Sequence, residues 1–144
     1  MADTAAVTVW VREVNKPSVW SGLFNASTGA ALPSLTVSEA TPYGTPVARI
    51  AFTDPNTGFP WNALNYALLP VGVGASLFTM NPTTGVLTTA APLAYWDTPT
   101  FSLVVSCTDS DPFAPLTSNA TIAVNLAQVN TVSIASFGLV RRRT

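Results

Sequence analysis

Histidine is absent from the 144-residue sequence, and cysteine occurs only once, at Cys107. Without histidine the chain lacks the commonest general base and transition-metal ligand, which excludes serine–histidine and cysteine–histidine nucleophile pairs. A single cysteine excludes a disulfide within the chain. The polar chemistry that remains is carried mostly by oxygen atoms, which favour hard cations such as calcium.

Charged residues are also scarce, and no apolar run approaches the roughly 20 residues of a membrane-spanning helix. We therefore expect no membrane insertion in this segment. Between positions 35 and 129 the only basic residue is Arg49, whereas acidic residues recur along the same stretch. An acidic body argues against a nucleic-acid partner. The run Arg141–Arg143 is interpreted as part of a solvated C-terminal tail over residues 132–144.

The sequence does contain many short apolar runs separated by residues that favour turns. Pro42 with Gly44 and Pro82 with Gly85 are two of several such turn signals. The runs between them are rich in Val, Thr, Leu and aromatic residues, and "FSLVVSC" and "TIAVNL" alternate apolar with polar side chains. Short alternating runs with frequent turns are typical of the strands of an all-β sandwich.

The apolar faces of the alternating runs predict the residues of the core. They are Phe101, Leu103, Val105, Ile122, Val124, Tyr66 and Phe78. Cys107 continues the apolar face of "FSLVVSC". It is therefore interpreted as a small buried apolar residue rather than a reactive thiol.

Two further segments precede the main series of runs. "VTVWVREV" has valine at alternate positions and predicts an extra N-terminal strand over Ala5–Val14. The stretch of residues 18–33 is rich in Ser, Gly and Ala. It predicts a connector with two exposed aromatic anchors, Trp20 and Phe24.

Seven motifs over about residues 33–131 resemble those of a cadherin repeat, in the family's order and spacing. "LTVSEATPYGTPV" is similar to the opening strand, and "FTDPNTG" to the Asp-x-Asp turn. "NALNYAL", "FTMNPTTGVLTT", "LAYW" and "FSLVVSCTDSD" follow at the positions of the next four motifs. "TIAVNLAQVN" resembles the final strand and the linker after it.

The resemblance implies a seven-stranded Greek-key β-sandwich, cadherin- and immunoglobulin-like, over residues 34–131. Residues 1–17 are similar to the final strand and linker of a preceding repeat, and a donor strand is the alternative interpretation. The implied function is that of a non-catalytic adhesion or spacer module, extracellular or at the cell surface. Its implied partners are neighbouring repeats or identical copies of the chain.

Cadherins hold calcium between successive repeats, so the resemblance also implies ligand positions at the N-terminal junction. They are Asp54, Asn56, Asn62 and Asp109 from the domain, with Glu13 and Asn15 from the linker. Asn56 is neutral where the family usually has aspartate, and Lys16 stands where the common linker carries an acid. We expect any calcium site here to be weak, because calcium takes 6–8 oxygen ligands.

The C-terminal junction retains fewer of the family's acids. Glu39 matches the first glutamate of the family pattern, but Ala94 and Trp96 replace the acids of its Leu-Asp-Arg-Glu motif. Gln128 and Thr131 replace linker acids. A single carboxylate does not easily offset the dehydration of calcium, and we expect no three-ion cluster at this end.

Other interpretations of these residues stay open at this point. Asp54, Asp109 and Asp111 also fit turn positions, because aspartate bonds to nearby main-chain amides. A catalytic role for the Asp109–Asp111 pair is not expected, since general acid–base chemistry needs a pocket and tuned partners. A filament subunit assembled by strand pairing and a carbohydrate-binding module with exposed tryptophan are the alternative functions. Asn25 and Asn119 begin glycosylation sequons.

Overall fold

The structure, a computed structural model, describes residues 3–9, 13–58 and 60–129. This part of the chain forms short strands and one 3-10 turn, Val73–Ser76. The strands are β1 (Val19–Asn25), β2 (Ala31–Leu32), β3 (Leu35–Ser38), β4 (Pro46–Thr53), β5 (Leu64–Leu68), β6 (Phe78–Met80), β7 (Val86–Thr89), β8 (Thr100–Asp109) and β9 (Thr117–Ala127).

The strands form the two layers of a sandwich. One sheet has the order β2-β1-β4-β7-β6, and the other has the order β3-β9-β8-β5. β3 runs parallel to β9, whereas β8 is antiparallel to both of its neighbours. Strands adjacent in a sheet are often distant in the sequence, as a Greek-key topology requires. The predicted all-β sandwich is confirmed.

The core lies between the two sheets and follows the period-two pattern of the strands. Among the predicted core residues the buried ones are Leu103, Val105, Ile122, Val124 and Phe78. Tyr66 and Phe101 are half-buried and pack against the same cluster. Tyr66 lies on β5, the outermost strand of its sheet, so one side of its ring is less covered than a central position would be.

The structure differs from the predicted connector over residues 18–33. β1 pairs with β4 along its whole length, and β2 pairs with β1 beside Leu23 and Phe24. Leu23 is buried in the core, Trp20 packs edge-to-face on Phe52, and Phe24 lies under the guanidinium of Arg49. Small residues interrupt the apolar alternation of this strand in the sequence. In addition, a β-bulge between Trp20 and Gly22 shifts its register.

The N-terminal strand predicted for Ala5–Val14 is not formed over the residues described there, 3–9 and 13–14. Val7 is 81% exposed and Val9 is 75% exposed. Trp10 and Val11 lie outside the described residues, as do Arg12 and residues 130–144. The predicted strand is thus absent within the chain over these residues, because alternation makes a strand only where another strand edge supplies hydrogen bonds. Pairing of this segment with another copy stays a prediction.

Candidate functional site

Three segments of the chain meet at the end of the sandwich where β4 and β8 finish. They are the linker at residues 14–16, the turn at residues 54–56 and the loop of residues 109–116. The strand order brings them together, since β4 and β8 belong to different sheets and end at the same side. This end carries most of the ligand positions that the resemblance implies.

The turn after β4 is built around Asp54 and Asn56. The amide of Asn56 donates to Asp54 Oδ1 at 2.7 Å, which closes an Asx turn next to Pro55. Asn56 is 1% exposed and Asp54 is 9% exposed. Asp54 Oδ2 is buried without a hydrogen-bond partner among the described residues.

The loop after β8 is organised by two buried carboxylates. Asp109 Oδ1 accepts hydrogen bonds from the amides of Asp111 at 3.0 Å and Leu116 at 3.3 Å. Asp111 Oδ1 accepts from the amide of Phe113 at 2.9 Å, and Asp111 Oδ2 accepts from Trp61 Nε1 at 3.0 Å. Asp109 and Asp111 therefore both support the loop after β8, which is the turn interpretation that the sequence left open.

The linker is attached to both of these segments by side-chain amides. Asn15 Nδ2 donates to Asp109 Oδ2 at 3.0 Å and to Ala114 O at 3.2 Å. Asn56 Nδ2 donates to Val14 O at 2.9 Å, and Asn56 Oδ1 accepts from the amide of Lys16 at 2.8 Å. The structure thus brings together Asp54, Asn56, Asp109 and Asn15.

Two of the predicted positions do not join this cluster. Asn62 is exposed, and its Nδ2 donates to Thr57 O within its own turn. Glu13 is exposed and borders an open pocket of about 440 Å³ together with Asp111 and Leu116. Among the described residues neither side chain bonds to Asp54 or Asp109, so the cluster has fewer carboxylates than the resemblance implies.

Cys107 lies on β8 beneath the same end of the sandwich. Burial is the main cause that raises the pKa of the Cys107 thiol. The nearby Ser18 hydroxyl lowers this pKa, and the carboxylates of Asp54 and Asp109 raise it further. A thiol with a raised pKa is a poor nucleophile, which agrees with its interpretation as a buried apolar residue.

The opposite end of the sandwich is organised around Glu39, just after β3. Glu39 Oε2 accepts from the amide of Tyr95 at 3.0 Å, and Glu39 Oε1 accepts from the amide of Val129 at 2.8 Å. Trp96 is 79% exposed and packs edge-to-face on Tyr95. Ala94 and Gln128 are exposed, and Thr131 lies outside the described residues.

The oxygen atoms that are free to bind an ion decide how well the two ends fit calcium. At the N-terminal end Asp54 Oδ1, Asn56 Oδ1 and both oxygens of Asp109 already accept hydrogen bonds. Asp54 Oδ2 and Asn15 Oδ1 are buried and lack a hydrogen-bond partner among the described residues. At the other end both oxygens of Glu39 are taken by main-chain amides. Because calcium takes 6–8 oxygens, this donor set does not fit the family's multi-ion cluster.

Sequence reasoning missed two contacts that build the N-terminal end. Asp111 is buried and bonds to Trp61, and Ser118 Oγ donates to Ser18 O where β9 begins. The spacing Asp109-x-Asp111 before Pro112 is a signal for a carboxylate-capped loop. No sequence signal predicts that Trp61 donates to Asp111, since they are far apart in the chain.

The two sequons occupy different environments. Asn25 ends β1, and its Oδ1 accepts from the amides of Ser27 and Thr28, so its side chain shapes the following turn. Asn119 is exposed on β9. Among the described residues no helix has the length and apolar character to cross a membrane.

The fold and the contacts of the chain at both ends define a β-sandwich repeat module, with the chain entering at one end and leaving at the other. The family model for the cadherin domain matches residues 33–127. The chain therefore belongs to the cadherin family. Cadherin domains are non-catalytic adhesion modules that generally bind calcium at the linkers between domains, and their location is extracellular or at the cell surface.

Several known proteins are similar to the chain. Protocadherin-16 of Mus musculus is 39% identical over 87 residues, which cover 60% of the chain and 3% of that protein. Protocadherin-23 of Homo sapiens is 31% identical over 115 residues, which cover 80% of the chain and 3% of that protein. The chain thus spans a small fraction of the curated relatives that it matches.

Two solved structures illustrate the likeness in fold. Mouse cadherin-23 EC22-24 superposes with a TM-score of 0.61 at 18% identity and covers 79% of this chain and 33% of that one. Drosophila N-cadherin EC1-3 superposes with a TM-score of 0.61 at 19% identity and covers 80% of this chain and 35% of that one. Both are multi-domain fragments, of which this chain matches one part.

Proposed function

We propose that the chain is a spacer or adhesion module of a cadherin-like repeat protein, with weak or lost calcium dependence. The observation that carries this proposal is the attachment of the chain at both ends of the sandwich. The linker before β1 bonds to Asn56 and Asp109, and the segment after β9 bonds to Glu39 through the Val129 amide. A module held in this way transmits orientation from one neighbour to the next.

The distance between the two ends supports a spacer role. β9 is 11 residues long and runs from one end to the other. At about 3.3 Å per residue it spans about 36 Å. Each copy of the module would therefore add roughly that length to an array.

Weak calcium dependence is supported by the donor set and not by the family pattern. Among the buried side-chain oxygens described at the N-terminal end, Asp54 Oδ2 and Asn15 Oδ1 are not already engaged in hydrogen bonds. Lys16, which stands at an acidic position of the common linker, adds a positive charge nearby. Two free oxygens beside a cation would hold at most a weakly bound single ion.

The proposal is tested with three copies of residues 16–130 joined head to tail, so that Asn130 precedes Lys16 of the next copy. This join is reasonable because Gln128-Val129-Asn130 resembles Glu13-Val14-Asn15 in sequence. Small-angle X-ray scattering of the trimer should give a rod whose longest dimension grows by about 36 Å or more per copy. The scattering curve should be the same with millimolar calcium and with chelator.

Two results would contradict the proposal in different parts. A compact or fully flexible trimer under both conditions would show that the module is not a spacer. A rod that forms with calcium and collapses in chelator would retain the spacer role and remove the claim of weak calcium dependence. The matched control is the same trimer with a flexible glycine–serine linker at each join, which should scatter as separate mobile domains.

A second candidate function is that of a filament subunit, and the free edge of β9 favours it. β3 pairs with β9 only from Val124 onward, so Thr117–Ala123 pair with β8 alone among the described strands. Val7 and Val9 are exposed and alternate like a strand. An extended segment of one copy could add to the β9 edge of another, and an unclosed contact of this kind produces fibres.

Light scattering separates this candidate from a simple monomer. The full chain is compared with a chain that lacks residues 1–12 and with Thr121→Pro, which removes an amide from the free edge of β9. A filament subunit should gain mass with concentration, and both changes should return it to a monomer. If all three chains are monomers at every concentration, the filament function is wrong.

A further inference from the structure

Asn56 contacts the linker in a way that aspartate could not. Its Nδ2 donates to Val14 O at 2.9 Å while its Oδ1 accepts from the amide of Lys16 at 2.8 Å. A side-chain amide carries both a donor and an acceptor, whereas an ionised carboxylate only accepts. Asn56 is 1% exposed, so an unmatched polar atom there would be costly.

Asn15 is the linker residue between Val14 and Lys16, and its side chain bonds to the loop after β8. Its Nδ2 donates to Asp109 Oδ2 at 3.0 Å and to Ala114 O at 3.2 Å. Asp109 is 3% exposed, and its other oxygen accepts from two main-chain amides. Donors from the protein therefore surround this buried carboxylate, as hydrogen bonding to a buried charge requires.

These contacts conflict with a calcium-held linker. A cation would need the oxygens that now accept hydrogen bonds, and the two amide groups point their donors at Asp109 and Val14 O. The cadherin family usually has acidic residues and calcium at this junction, whereas this chain has asparagine at position 56 and lysine at position 16. Loss of the acids and presence of the amide contacts are two independent observations that agree.

We propose that Asn15, Asn56 and Asp109 form an amide clamp that holds the entering linker without calcium. Asn15 and Asn56 are positioning residues in this clamp, since they act on the path of the linker. This inference rests on the proposed function of the chain as a spacer module. It goes further by assigning the rigidity of the junction to particular hydrogen bonds and by making calcium unnecessary for it.

The test uses the full chain and the double variant Asn15→Asp with Asn56→Asp. The double change removes the donors to Asp109, Ala114 O and Val14 O, and it places new carboxylates beside Asp54 and Asp109. Amide hydrogen exchange of Lys16 reports the linker directly, because this amide donates to Asn56 Oδ1. The matched control is Asn119→Asp, which adds a charge at an exposed position of β9.

The unmodified chain and the control should protect the Lys16 amide equally in chelator and in millimolar calcium. In chelator the double variant should lose protection by roughly tenfold or more, because like charges then face each other without donors. Calcium should restore the protection, since the site now offers additional carboxylate oxygens. Asn15→Ala is a further variant that removes the side-chain donors without adding charge, and calcium should not restore protection in it.

The proposal is overturned if calcium raises Lys16 protection in the unmodified chain by tenfold or more, since an ion would then hold the linker. It is also overturned if the double variant and Asn15→Ala keep full protection in chelator. The second result leaves the spacer function intact when the three-copy chain is still a rod. A flexible three-copy chain with an intact clamp would instead remove the spacer function.

Discussion

The two ends of the sandwich hold the chain by different means. At the N-terminal end side chains join three segments. Asn15 bonds to Asp109, and Asn56 bonds to the main chain of Val14 and Lys16. At the C-terminal end one half-buried carboxylate, Glu39, accepts from the main-chain amides of Tyr95 and Val129. The first arrangement depends on the identity of several side chains, whereas the second depends on one acceptor and on main-chain groups that every non-proline residue has.

This difference indicates how a junction changes after its acids are lost. The C-terminal end has Ala94 and Trp96 at former acidic positions, and its remaining carboxylate is satisfied by main-chain amides. The N-terminal end keeps Asp54 and Asp109. The side-chain amide of Asn15 donates to Asp109, and the main-chain amide of Asn56 donates to Asp54. At both ends most carboxylate oxygens accept hydrogen bonds, as burial of an acid requires, whereas Asp54 Oδ2 is buried without a partner among the described residues.

The largest expected effect comes from breaking the strand that connects the two ends. β8 runs from Thr100 beside the C-terminal end to Asp109 at the N-terminal end, and Val105 is fully buried at its centre. Val105→Asp should abolish folding, because an unpaired buried charge costs several kcal/mol. Circular dichroism and a thermal melt measure the loss of the cooperative transition.

Val104→Asp is the matched control for this change. Val104 is the adjacent residue on the same strand and is only half-buried, on the outer face of the sheet. The control should stay folded and melt cooperatively at a lower temperature. A soluble, cooperatively melting Val105→Asp chain would refute the placement of β8 in the core.

The second largest effect compares the ends directly. Asp109→Ala leaves Asn15 Nδ2 and the amides of Asp111 and Leu116 without their acceptor, and should lower the free energy of unfolding by about 3 kcal/mol. Glu39→Ala at the half-buried C-terminal end should cost only about 1 kcal/mol, because water replaces the carboxylate more easily there. Urea unfolding measures both values, and equal losses would contradict the difference between the ends.

Much of the fold could be predicted from the sequence, because burial on one face leaves a period-two pattern in β8 and β9. β1 was not predicted, because Ser21 and Gly22 interrupt its apolar pattern and a bulge shifts its pairing with β4. At the candidate site the positions of Asp54, Asn56, Asp109 and Asn15 could be predicted from the family's motifs. Their hydrogen-bond partners could not, because contacts such as Asn15 with Asp109 join segments about ninety residues apart.

A smaller effect concerns pH and distinguishes the N-terminal end, where Cys107 lies near two carboxylates. Burial, and then Asp54 and Asp109, raise the pKa of the Cys107 thiol, against a lowering by Ser18. A group with a raised folded pKa contributes its full stability below the unfolded pKa, about 8.5 for cysteine, and loses it as the pH rises through the folded value. The free energy of unfolding should therefore fall above about pH 8.5 by at most about 1.4 kcal/mol per pH unit from this group.

Cys107→Ala isolates that contribution from the rest of the molecule. Burial also raises the pKa of Tyr66, so the variant should still lose stability at high pH, with a smaller slope than the unmodified chain. The comparison uses the slopes of denaturant-derived stabilities between about pH 8 and 10, since the cavity made by the substitution shifts both ends of that range alike. Equal slopes would show that the thiol does not titrate differently in the folded state.

The smallest expected effect is that of calcium on the stability of the unmodified chain. Most carboxylate oxygens at the two ends already accept hydrogen bonds from protein donors, so an added ion has to displace these bonds before it gains enough ligands. A ligand that binds only the folded state at a hundredfold excess over its Kd adds about 2.7 kcal/mol to stability. Thermal unfolding should instead give nearly the same midpoint in millimolar calcium as in chelator. This should hold for the unmodified chain and, separately, for Glu39→Ala. Magnesium at the same concentration controls for ionic strength, and a calcium-specific rise in the midpoint that Asp109→Asn abolishes would place a genuine ion site at the N-terminal end.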